Sequence, residues 1–91
     1  MEKQIEVNLV TERNLSLTAR LLLVINRKQL ELNSMKLDSG YADDYYKYTL
    51  EITGDDHMLH QVIKVIAKQI GVFEVKAKVV EVFHNVEMAM A

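Results

Sequence analysis

The sequence predicts an α+β domain in which four strands form one antiparallel sheet and two helices pack on one of its faces. Two observations carry this. Four stretches show apolar residues at a spacing of two, and two stretches between them show helical spacing, in the order β-α-β-β-α-β. Ninety-one residues suffice for one domain, read as 1–83, with 84–91 expected as a frayed tail.

Gln4 to Thr11 opens the order. Ile5, Val7 and Leu9 point one way and Glu6 and Asn8 the other, the mark of a strand buried on one face. Thr11-Glu12-Arg13-Asn14 breaks the alternation, and Asn14 or Ser16 is placed to cap a helix by accepting a backbone N–H. In that helix Leu17, Leu21, Val24 and Lys28 define one face, with Leu22 and Leu23 off it. Leu23 is then either a tolerated exposed leucine or a contact with a partner, and the partner contact is the reading adopted.

Leu30 to Leu37 reads as a second strand, amphipathic at best and suited to a sheet edge. Asp38-Ser39-Gly40 reads as the turn that ends it. Tyr45 to Thr53 alternates strictly, with Tyr46, Tyr48, Leu50 and Ile52 on the side expected to be core. Thr53-Gly54-Asp55-Asp56 supplies caps and negative charge for a second helix. Its apolar face holds Met58, Leu59, Val62, Ile63, Val65, Ile66 and Ile70, and Gly71 is expected to stop it as the left-handed residue beyond the cap. Phe73, Val75, Ala77 and Val79 alternate with Glu74, Lys76 and Lys78 in a fourth strand reaching about Phe83. The simplest packing of this order is the split-βαβ, ferredoxin-like sheet.

Composition narrows function mainly by exclusion. Without cysteine there are no disulfides, thiolate nucleophiles or cysteine metal sites, and a cytoplasmic location is expected. A net charge of -2 gives no broad attraction to nucleic acid or anionic membrane. No apolar run approaches the length of a membrane span. At 49% apolar residues, the chain carries more apolar surface than one small core absorbs, which points to a partner chain. His57 and His60 lie one helical turn apart with only Asp56 as a third donor, so surface histidines are expected and no metal. The serines read as cap, strand and turn residues, and the three glycines are isolated, so no triad or phosphate loop emerges. An RNA-binding sheet of the same order needs a glycine and basic residues with its aromatics. Here Asp43-Asp44 precede Tyr45, Tyr46 and Tyr48, so no nucleic-acid partner is expected.

With these residues in view the chain resembles ACT domains, and more narrowly the short small regulatory subunit of acetolactate (acetohydroxyacid) synthase of the isozyme II type. Asn14 to Leu37 carries the likeness, with Arg20-Leu21-Leu22-Leu23-Val24-Ile25 and Asn33-Ser34-Met35-Lys36-Leu37. So do Thr53-Gly54-Asp55, Gln61-Val62 and Lys68 through Val75, so that about residues 4 to 80 are covered. The resemblance implies a chain without catalytic residues that binds and activates the large thiamine-diphosphate-dependent subunit in branched-chain amino acid biosynthesis. Thiamine diphosphate, Mg2+ and FAD would belong to that catalytic subunit, and this chain would bind no cofactor. It also implies a homodimer joined through the first helix and second strand, here Leu22, Leu23, Leu30, Leu32 and Asn33, with a branched-chain amino acid effector at the junction.

Two departures bear on that effector. Asn14-Leu15-Ser16-Leu17 lacks the glycine that lets backbone approach a carboxylate closely. Glu31 stands where valine-sensitive relatives carry asparagine, repelling a ligand carboxylate while attracting its ammonium. The expected effector residues are Asn14, Leu15, Ser16, Glu31 and Leu32, and valine is expected to bind weakly. Two other readings remain at this point: a free-standing amino-acid sensor, and an acylphosphatase-like enzyme for which Arg13 and Asn14 are the only echo.

Overall fold

The computed structural model describes residues 2–83, and the expected tail at 84–91 lies outside them. Strands β1 (Glu2–Glu12), β2 (Glu31–Ala42), β3 (Tyr45–Asp55) and β4 (Val72–Phe83) form one antiparallel sheet in the order β2-β3-β1-β4. Helices α1 (Leu15–Arg27) and α2 (Asp56–Ala67) cross between strands and cover one face. This is the ferredoxin-like arrangement that the alternation predicts.

The core follows from the two periodicities. Ile5, Val7 and Leu9 of β1 and Tyr48, Leu50 and Ile52 of β3 point into the helix-covered side, and Leu17, Leu21, Ile25, Leu59, Val62 and Ile66 close it from above. Sequestering a side chain of this size stabilises by roughly 1.5–3 kcal/mol. On α1 the deepest stripe is Leu17, Leu21 and Ile25, while Val24 is only half-buried, so the stripe lies one residue away from the expected one. Tyr48 is fully buried, and its hydroxyl is hydrogen-bonded to Thr18 Oγ1, which ties the sheet to α1.

Caps set the ends of the helices. Asn14 Oδ1 accepts from the Ser16 N–H at 3.0 Å, and Asp55 Oδ2 accepts from the His57 N–H at 3.1 Å. Past α1, Gln29 takes a left-handed φ of 57°. The Gln29 N–H donates to Asn26 C=O and the Leu30 N–H to Ile25 C=O, the Schellman pattern with glutamine in place of glycine. Gly71 is left-handed as expected, with φ 96°, but α2 ends at Ala67 and its cap is Lys68. Gly71 instead sits in a tight turn closed by the Val72 N–H on Gln69 C=O. Ile70 in that turn is 82% exposed, so it leaves the expected apolar face.

The second strand also runs further than its sequence suggests. Asp38-Ser39-Gly40 does not turn the chain, because pairing with β3 resumes at Ala42 and the turn falls at Asp43-Asp44. The residues between Asp38 and Ala42 form an irregular bulge, in which Asp38 Oδ1 accepts from the Gly40 N–H at 2.9 Å.

Candidate functional site

The loop from β1 to α1 is fastened at both sides. Arg13 Nη1 donates to the Ser39 carbonyl at 2.7 Å, and its guanidinium lies 4.8 Å from the centre of the Tyr46 ring. The loop is thereby held against the β2 bulge and the start of β3. Asn14 then caps α1 with an oxygen that also accepts from Ser16 Oγ at 2.7 Å, and its amide reaches Glu12 Oε1 at 3.4 Å. Leu15 and Ser16 follow, both exposed, and the first turn of the helix has no acidic residue. The acylphosphatase-like reading finds no support here, since the Arg13 guanidinium is engaged by Ser39 and Tyr46 and the Asn14 side chain is a cap.

Within one chain the expected effector residues do not meet. Asn14, Leu15 and Ser16 stand at the start of α1, while Glu31 and Leu32 follow its end. The thirteen-residue helix that begins with Leu15 and Ser16 carries the chain about 20 Å along its axis before Glu31. A two-fold pairing of β2 with β2 of a second copy reverses the strand, so that the loop of one copy faces Glu31 of the other. Any site using both halves therefore needs two chains.

The residues expected at that junction divide in three groups. Leu22 and Leu23 are exposed on α1, Leu23 to 52%, and Leu15 extends the same apolar surface. Leu30 and Leu32 are half-buried against the core, so each shows only part of its side chain. A Cβ on Gly54 would meet Leu30 Cδ2, so a side chain there would push that leucine aside. Asn33 sits at an irregularity in the β2–β3 ladder, where its Oδ1 accepts from Thr53 Oγ1 at 2.6 Å and Gln4 Nε2 at 3.3 Å. A cleft of about 220 Å³ opens beside Glu31, lined by Lys28, Leu30, Asp55 and Met58 among others.

Elsewhere the polar groups look structural. His57 Nε2 lies 3.2 Å from Gln61 Nε2 one turn on. Among the described residues no three histidine, cysteine or acidic side chains are grouped to hold a metal ion. Lys3 pairs with Asp56, and its hydrogen bond and positive charge hold that carboxyl below its ordinary value of 3.8. No described helix is long and apolar enough to cross a membrane.

Arg13 is the residue that sequence reasoning overlooked in this role. The one available signal was a lone arginine in a polar break, with a run of tyrosines 32 to 35 positions later.

No protein-family model matches the sequence, and no curated protein matches it in sequence. Solved structures do match in fold. The ACT domain of GTP pyrophosphokinase from Chlorobium tepidum superposes with a TM-score of 0.72 at 19% identity, covering 86% of this chain and 100% of that one. The acetolactate synthase small subunit from Thermotoga maritima gives 0.71 at 15% identity, covering 82% of this chain and 47% of that one. The C-terminal domain of the MgtC protein from Mycobacterium tuberculosis gives 0.71 at 14%, covering 87% and 88%. The fold is that of ACT domains.

Proposed function

We propose that this chain is a non-catalytic regulatory subunit that binds and activates the large thiamine-diphosphate-dependent subunit of acetolactate synthase. One observation carries the reading: an exposed leucine surface on α1 lies beside the free edge of β2. It does so in a fold shared with an acetolactate synthase small subunit. Side-by-side pairing of two copies would cover that surface and extend the sheet from four strands to eight. It would also bring Asn14, Leu15 and Ser16 of one copy towards Glu31 and Leu32 of the other, where a branched-chain amino acid would sit.

Electrostatics sets the strength of such a site. Glu31 is exposed at the start of β2 and puts a carboxylate beside the cleft, which favours the ammonium of an amino acid and opposes its carboxylate. Asn14 Oδ1 is already occupied by two donors from Ser16. Valine is accordingly expected to show no saturable heat in titration calorimetry below millimolar concentration. A micromolar dissociation constant would contradict this, and Glu31→Asn would then weaken binding.

Partner binding is tested by gel filtration of the purified chain with the large subunit. Co-elution is expected, and separate elution at micromolar concentration counts against the reading. A free-standing amino-acid sensor is the second reading. Its support is coverage: the chain matches the whole of one isolated ACT domain but about half of the small subunit.

A further inference from the structure

We infer that the outer edge of β4 is a second self-association surface, on which two copies pair antiparallel about Val75. β4 lies at the side of the sheet opposite β2, so this contact is independent of the α1–β2 junction proposed above. Its exposed residues are unusually apolar for an edge: Phe73 is 61% exposed and Val79 51%, with Val80 and Val82 also open. Edge strands that must stay single are normally guarded by charge or brevity; this twelve-residue strand is long, and its charges are of both signs in an order that a second copy can match.

The charges on β4 select both the occupant and the register. Between irregularities next to Phe73 and Val80 the ladder with β1 is regular from Glu74 to Val79. Along it Glu74, Lys76 and Lys78 share the open face with Val10, Asn8 and Glu6, and Val75, Ala77 and Val79 share the helix side. Centring a two-fold pair on Lys76 sets Glu74 opposite Lys78 twice but places that lysine against itself at the axis. Centring on Ala77 sets Lys76 against Lys78 twice. Centring on Val75 sets Glu74 of each copy opposite Lys76 of the other, with no like charges directly across. Glu74 and Lys76 are solvated and 3.7 Å apart within one chain, so both are free to exchange partners at little cost. On the helix side the same register stacks Val75 on Val75, with Phe73 left at the irregularity against the Tyr45 ring of its own chain. It also brings the second copy's Val79 towards the cleft lined by Ala67, Val72 and Phe73. A strand from an unrelated protein would have no reason to match this self-complementary order.

Sedimentation equilibrium of the full chain tests the contact, with circular dichroism reporting the fold of each variant. Leu23→Glu blocks the α1–β2 junction and should leave a dimer held by β4. In that background Glu74→Lys and Lys76→Glu each place like charges opposite one another and should weaken the dimer roughly tenfold. The double exchange Glu74→Lys/Lys76→Glu should restore the dimer, while circular dichroism and the urea midpoint of the single variants show whether loss of the pair within one chain disturbs the fold. A folded Leu23→Glu protein that is monomeric overturns the β4 contact and leaves the α1–β2 junction standing. A double exchange as weak as the single changes also overturns it. Wild-type mass unaffected by Leu23→Glu, together with the restored double exchange, supports β4 and removes the other junction. Should Leu23→Glu fail to fold, the same charge exchange in the wild-type background reads the same contact.

Discussion

Gly71 shows how much one residue settles at the loop end of the sheet. Its φ of 96° is open to glycine, and its carbonyl accepts the Glu12 N–H at 2.8 Å, joining the α2–β4 turn to the end of β1. A Cβ there would stand 2.7–2.9 Å from the Glu12 side chain. Gly71→Ala should therefore cost about 1–2 kcal/mol, from the backbone alone, read as a lowered urea midpoint with unchanged slope. Asp56 gives a pH signature of opposite character. Its carboxyl is held below 3.8 by Lys3, so the pair's contribution is complete above that value and is lost as pH falls through the lower folded value. Asp56→Asn should flatten that acidic limb of the stability curve, and an identical limb in both proteins would show that Lys3 does not act through this carboxylate. Asp56 is exposed, so the effect is small.

At the scale of elements, the α1 surface carries the main prediction. Leu23 is half exposed and lies away from Leu17, Leu21 and Ile25, so Leu23→Glu should split an α1–β2 dimer without unfolding the domain. Covering such leucines is worth roughly 1.5–3 kcal/mol each when complete, enough to govern the association constant. An unfolded variant would instead place Leu23 in the core. The elements themselves were largely legible in the sequence, because β1, β3 and α2 each bury one regular face. Tyr48, Leu50 and Ile52 sit where strict alternation puts them. The end of β2 was not legible. Asp38-Ser39-Gly40 has true local turn chemistry, seen in the Asp38–Gly40 hydrogen bond, yet long-range pairing with β3 absorbs it as a bulge. The loop anchor escaped for a similar reason, since Arg13 meets Ser39 and Tyr46 only after β1, β2 and β3 are assembled. In the candidate site, Asn14 and Glu31 were both visible as residues, but their separation along α1 depends on the helix between them. Val79 shared the buried alternation of β4 but stays half exposed, beside a cleft that it lines with Leu59 and Ile63 of α2.

For the whole molecule, two free sheet edges with different surfaces frame the account. β2 lies beside the leucines of α1, while β4 exposes valines and a self-complementary charge order. A net charge of -2 and an open face of mixed sign, as in Glu6 with Lys78 at 3.2 Å, suit contacts with protein better than with polyanions. The regulatory reading adds a catalytic partner to these contacts. It is tested most directly by the rate of acetolactate formation by the purified large subunit, with thiamine diphosphate, Mg2+ and FAD supplied, as this chain is titrated in. The account predicts a severalfold rise that saturates near equimolar chain. A rate that stays flat through a molar excess of the folded chain would contradict it.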